Sequence, residues 1–483
     1  LAIDQHSYQD IDALIKLAFK NKIIKSVIMS NPKQQIYQAY LNGEHSHCDC
    51  LAFLGRIGEE EKKTTQAIFY YREALQANPN HILALNNLAN LLKQKENTID
   101  ESIRLIEKAL SIEPYNVVLL SNLSHIARRA KKIDFALRWF EKALAQLKDN
   151  LTVRHQYGIL LASIGNLNEH DGKVLSRGIR EFSINWSLHV AAMAEQEGMA
   201  KWEGENKPRS VITLAGILGF GDILQWLRYV PVLKKQFIAV IAWFNRPMIP
   251  LLEKTGLFAR IALIDEPCPK ADFLSEFSYL PAIFSAQSIF PLPYHQFNLE
   301  KQKIADWSNF LSHLSKPHIG ISWAASRNSK SGHLRTPPLK MIEAITALVP
   351  HQLISLQVGD DALDKISKED FSFMHSKIFD LSNAIKDYYD TACLIASLDL
   401  VISVDTSVAH LAASLGKEVW LILPEPTEWR WYGDSNKSRW YPTIRIFRQP
   451  QMGDWGGLFY EIAEVLVKYL NVKKHHKTQY RSL

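Results

Sequence analysis

The sequence predicts an all-α array of stacked helix pairs over residues 1–180, a linker at 181–208, and two parallel α/β domains at 209–315 and 316–483, the second ending in a helix. Two observations predict this. The early part of the chain repeats its apolar pattern about every 34 residues, a period of helical arrays. After residue 208 short β-branched runs alternate with helical segments, the grammar of parallel sheets covered by helices.

The repeat carries the first region. Leu85, Leu88, Ala89 and Leu92, followed by Ser102, Ile106, Ala109 and Pro114, are matched one period later by Leu120, Leu123, Ser124 and Ala127, then Ala136, Phe140 and Ala143. Ala67, Tyr71, Ala74 and Pro79 fit the second helix of an earlier copy, and Tyr157, Gly158 and Leu161 the first helix of a later one. Small residues let paired helices approach, and no single pair buries its apolar face alone, so copies must stack. The pattern resembles the tetratricopeptide (TPR) repeat, and that resemblance implies a protein partner. Residues 1–47 have helical character and are expected to form a capping or degenerate unit.

The bulk numbers exclude several classes. At 483 residues, 47% hydrophobic and 22% charged, the chain has the composition of a globular protein with room for about three domains. A net charge of +6 spread over this length gives no footprint for nucleic acid or an anionic membrane. No stretch reaches the roughly 18 apolar residues of a membrane span, and the N-terminus lacks the order of a signal peptide, so a cytoplasmic protein is expected. Four scattered cysteines do not make a disulfide framework. The stretch "HSHCDC" at 45–50 crowds its ligands too closely for one tetrahedral ion and is expected to be a surface loop, with no metal.

In the α/β region the strands are "SVITLA", "FIAVIAW", "RIALI", "HIGISWA", "LISLQV", "LDLVISV", "EVWLIL" and "TIRIFR", with helices near 222–235, 299–314, 338–348, 387–398 and 406–415. Ligands of open parallel sheets sit beyond the carboxyl ends of strands, which directs attention to the loops after "VITLA", "GISWA" and "VISV". The first loop, "GILGFGD", places Gly219, Gly221 and then Asp222 at a helix start, with Gln225 one turn on. A carboxylate there opposes a pyrophosphate, so this is not a dinucleotide cradle. Asp222 is either the helix cap or a general base, held anionic by the helix dipole beside glycines that admit a substrate.

The second loop supplies Ser326, Arg327, Lys330, His333, Arg335 and Thr336, cations and hydroxyls suited to a phosphorylated ligand or simply a solvated basic loop. Gln357, near the end of "LISLQV", is placed on the same side. The third, "VDTSVAH", sets Asp405, Thr406 and Ser407 at a helix N-terminus with His410 one turn in, an anion site whose Asp405 would cap the helix or accept hydrogen bonds from sugar hydroxyls. The following "PEPTEWRWYGDSNKSRWYP" packs rings among guanidiniums, either to stack on a base or sugar or as a structural wedge.

Taken in order, "KWEGENKPRSVITLAGILGFGDILQWLRYVPVL", "IGISWAASRNSKSGHLRTPPL" and "LIASLDLVISVDTSVAHLAASLGKEVW" resemble TPR glycosyltransferases related to the heptosyltransferases of glycosyltransferase family 9. The resemblance implies the GT-B fold, two Rossmann-like domains with the acceptor site on the first and the nucleotide-sugar site on the second. It further implies inverting transfer without a metal or other cofactor. Asp222 would be the base, with Gly219, Gly221 and Gln225 on the acceptor side. Arg327, Lys330, Arg335, Gln357, Asp405, Thr406, Ser407 and His410 would form the donor side. Heptosyltransferases proper carry Lys at the place of Arg335 and Gly at that of Ser407. Some relatives with this layout resemble flagellin glycosyltransferases, implying a protein acceptor; a lipopolysaccharide-building enzyme and a non-catalytic scaffold are the alternatives.

Overall fold

The computed structural model describes residues 46–93, 96–165, 169–286, 297–326, 332–349, 352–358, 377–433 and 435–479. The chain divides into two compact units, Leu1–Ile126 and Ala127–Leu483.

The first unit is built from helix pairs. His47–Glu60 packs on Thr64–Ala77, then Ile82–Leu92 on Ile99–Ile112, and Val117–Arg129 follows. The repeated positions behave as a repeat requires: Leu85, Leu88, Ala89, Leu92, Ser102, Ile106 and Ala109 are buried, as are their counterparts one period on. Ser102 satisfies its buried hydroxyl on the Ala89 carbonyl at 2.6 Å. Within "HSHCDC", residues 46–50 are not a loop but a capped helix start. Ser46 caps the His47–Glu60 helix in a capping box with Asp49, because a hydroxyl followed three residues on by a carboxylate satisfies N–H groups that a helix start leaves open.

In the second unit the helices Ile133–Leu144, Leu151–Ile164, Glu169–Phe182 and Ile184–Gln196 precede two all-parallel sheets. The first sheet contains β1 (Ala200–Lys201), β2 (Lys207–Gly216), β3 (Phe237–Phe244), β4 (Arg260–Leu263) and β5 (Phe273–Glu276), in the order β1-β5-β2-β3-β4. The second contains β6 (Ile319–Ser322), β7 (Leu353–Ser355), β8 (Ile378–Phe379), β9 (Leu400–Val404), β10 (Val419–Leu423) and β11 (Ile444–Arg448), in the order β11-β10-β9-β6-β7-β8. Strands such as β9 and β10 are buried along their whole length, as in parallel sheets covered on both faces. This is the expected architecture, helical repeats followed by two Rossmann-like sheets. No helix among the described residues is long and apolar enough to cross a membrane.

The boundaries differ from expectation. The 181–208 segment is no linker: it holds the Ile184–Gln196 helix, strand β1, and Trp202 fully buried, with Val190 and Ala194 packed on Leu274. Helices that follow Ala127 belong with the sheets. Gly158 and Gly178 let Leu151–Ile164 and Glu169–Phe182 touch backbone to backbone, since a Cβ on Gly178 would stand 2.9 Å from the Ala162 Cα. Arg439 then locks that pair to the second sheet's loops by donating to the carbonyls of Ala162, Ser163, Gly165 and Tyr432. Burial, with Arg448 beside it, pushes the Arg439 pKa down to about 10.

Candidate functional site

β2 ends at Gly216, and the chain turns through Gly219 into the Phe220–Trp226 helix, with Asp222 in its first turn. β9 ends at Val404, and Asp405 and Thr406 lead into the Ser407–Ser414 helix. Both helices start beyond the carboxyl end of a parallel strand, and the two starts meet. A Cβ on Gly221 would lie 3.0 Å from His410 Cδ2 and 3.6 Å from Ser407 Cα, so the absent side chain is what permits the approach. Phe220 packs edge-on against Tyr388 at 4.9 Å, and the Tyr388 hydroxyl is 2.8 Å from Ser407 Oγ.

Asp222 is one-third exposed, and its Oδ1 accepts from Arg430 Nη2 at 2.7 Å. Arg430 comes from the loop after β10. Burial opposes its charge, but the carboxylates of Asp222, Asp405 and Glu428 outweigh that cost and hold its pKa above the ordinary value. Asp405 is buried, and burial raises its pKa against the pull of Arg430 and Arg335. Arg335 Nη1 donates to the Asp405 carbonyl at 2.8 Å and lies 3.6 Å from its carboxylate. Two guanidiniums and two carboxylates therefore stand together where the loops of the two sheets converge.

His410 is turned into the interior. It is 2% exposed, with Nδ1 3.1 Å from the Tyr441 hydroxyl and the Trp431 ring 5.5 Å away. Burial and the nearby charges of Arg430, Arg228 and Arg335 push its pKa well below the usual histidine value, so the ring is neutral. The helix turns this position inward against Gly221, apart from the partly exposed Thr406 and Ser407 with which the sequence groups it. Gln225 is likewise fully buried, and Gln357 uses its Oε1 to accept from Ala324 N at 3.2 Å, bracing the turn after β6. Thr406 and Ser407 are partly exposed at the helix start, and Gly219 is exposed beside Asp222. Arg327 and Lys330 lie outside the described residues.

The aromatic loop acts as a wedge. Trp429, Trp431, Trp440 and Tyr441 are buried, and Trp226 of the first sheet's helix stacks on Trp429 at 6.4 Å and meets Trp440 edge-on at 5.6 Å. Arg228 lies over the Tyr441 ring at 5.1 Å. The role of Arg430 had a signal in "EWRW", where ring, guanidinium and ring alternate, but its partner Asp222 is 208 residues away in sequence.

Among the described residues, the one grouping of metal-ligand types is Cys48, Asp49 and His81 in the first unit. His81 Nδ1 accepts from Ala84 N at 3.2 Å, which leaves Nε2 as the N–H that donates to Asp49 Oδ1 at 2.9 Å. Both ring nitrogens are committed, and His81 and Asp49 each serve a helix start, His81 as the cap of Ile82–Leu92 and Asp49 in the capping box of His47–Glu60.

A tetratricopeptide-repeat family model matches residues 49–81. Protein FlbA of Caulobacter vibrioides is 21% identical over 444 residues, covering 84% of this chain and 70% of FlbA. Among solved structures, a glycosyl transferase family 9 protein from Veillonella parvula aligns with 51% of this chain and 88% of its own, at 10% identity and a TM-score of 0.39. The ADP-heptose LPS heptosyltransferase II of E. coli aligns with 53% of this chain and 99% of its own, at 14% identity and a TM-score of 0.37. Residues 49–81 are thus similar to tetratricopeptide repeats.

Proposed function

We propose that the chain is an inverting, metal-independent glycosyltransferase that moves a sugar from a nucleotide-sugar donor to a hydroxyl of a protein held by the repeats. The observation that carries this reading is the placement of Asp222, an accessible carboxylate beyond one parallel sheet, opposite Arg335, Asp405 and Ser407 beyond the other. In the proposed step Asp222 takes the acceptor's hydroxyl proton and the oxygen forms a bond to the anomeric carbon. The bond from that carbon to the donor phosphate breaks, and the nucleoside diphosphate leaves with the electron pair. Arg335 and the Ser407 hydroxyl stabilise the departing charge; Asp405 holds Arg335 in place.

General-base catalysis supplies roughly 10²–10⁴-fold, so Asp222→Asn is expected to lower turnover by about that factor. The assay is sugar transfer, read by mass spectrometry of protein co-purified with the chain, with a panel of nucleotide sugars as donors. Unchanged turnover would remove Asp222 from the mechanism, and sugar found only on a glycan or lipid would remove the protein acceptor.

A further inference from the structure

We infer that Arg430 is shared between Asp222 and the anionic leaving group, so that the Asp222–Arg430 ion pair is a latch opened by a diphosphate. This rests on the transferase reading of the same site. Four observations carry it. Arg430 Nη2 occupies Asp222 Oδ1 at 2.7 Å, while Oδ2 turns toward Gly219, 3.4 Å from where a Cβ there would stand. The buried Nε of Arg430 has no hydrogen-bond partner among the described residues, so the guanidinium holds an unused donor. Its backbone is fixed, because Trp429 and Trp431 on either side are buried and Trp440 Nε1 donates to its carbonyl at 3.0 Å. Only the side chain is left to move. Lastly, Arg430 lies beside the helix that Asp405 leads into: the ring of its neighbour Trp431 is 5.5 Å from that of His410, and the Arg430 charge favours ionisation of Asp405.

The carboxylates of Asp222, Asp405 and Glu428 offset the charges of Arg430 and Arg335. An arriving diphosphate adds negative charge that Arg335, already committed to Asp405, neutralises only in part. Among the described residues the other cation acting on Asp405 is Arg430, and drawing it away from Asp222 frees the oxygen that accepts the acceptor's proton. Donor binding therefore precedes activation of the base. An Arg–phosphate pair is also bidentate and strong, which makes the exchange favourable.

The test uses the full chain and inorganic pyrophosphate, followed by titration calorimetry, with thermal unfolding of each variant to establish that it folds. Removing a competing carboxylate leaves Arg430 for the phosphate, so Asp222→Asn is expected to bind pyrophosphate about tenfold more tightly than the parent. Arg430→Gln should bind about tenfold more weakly, and Arg430→Lys should fall between. In the Arg430→Gln background, Asp222→Asn should no longer raise affinity. Equal or weaker binding by Asp222→Asn, a gain that persists without Arg430, or no binding by any variant overturns the latch. These outcomes are independent of turnover: a latch without a catalytic base shows the affinity gain with unchanged transfer, and a base without a latch shows the reverse.

Discussion

Gly221→Ala tests the meeting of the two helix starts directly. The added Cβ would stand 3.0 Å from His410 Cδ2, whereas carbon atoms pack best at about 3.5–4.0 Å, a shortfall of about half an ångström to one ångström. His410 has little room to yield, being held by the Tyr441 hydroxyl and backed by Trp431. Separating the helices instead strains the Asp222–Arg430 bond and the Phe220–Tyr388 contact. Overpacking of this kind costs about 1–3 kcal/mol, and replacing Gly by Ala in a helix returns about 0.5–1 kcal/mol, so a net loss centred near 1 kcal/mol and reaching about 2 kcal/mol is expected. In a unit of this size that lowers the melting temperature by about 1–4 °C. Scanning calorimetry of the full chain reads it, and His410→Ala in the same chain should relieve the clash, making the two substitutions non-additive. A Gly221→Ala protein that melts at or above the parent temperature would refute the reasoning, because it would mean the two starts do not touch.

Arg439→Met removes a guanidinium that serves four carbonyls, three of them at the end of the Leu151–Ile164 helix. Charge-assisted bonds offset by desolvation put the loss at about 2–4 kcal/mol, seen as a lower melting temperature and earlier proteolysis near residue 165; no change would mean these helices are not tied to the sheet. The depressed His410 pKa makes stability pH-dependent with a definite sign. The unfolded histidine takes up a proton below its ordinary value while the buried ring does not, so stability is full above about pH 6.5 and falls as pH drops toward the folded pKa. His410→Gln should flatten the fall in melting temperature between pH 7.5 and pH 5; an unaltered slope would assign that dependence to other groups.

Much of the architecture was legible because it is local. The strands recognised in the sequence carry β-branched runs long enough to show, as β9 does from Leu400 to Val404. The missed strands lack that signature. β1 and β8 are two residues long, and β5 ends "SE", so nothing in their sequence separates them from loops. The 181–208 segment reads as a linker because it lies between the helical repeats and the first long strand run, yet Trp202 packs against Phe237 and Phe284.

The site was legible only as parts. The strand–turn–helix pattern located Asp222 and Asp405, and both stand at the carboxyl ends of their sheets. What no local pattern contains is which way each side chain turns once two distant elements meet. His410 looked like an anion ligand because a histidine one turn into a helix shares a side with the hydroxyls before it. The opposing glycine decides otherwise: Gly221 has no side chain to keep the helices apart, so the ring is covered and neutral. The same closeness brings Arg430 onto Asp222. A residue read as cap or base is also the partner of a guanidinium, and on the proposed reading its chemistry depends on what draws that guanidinium away.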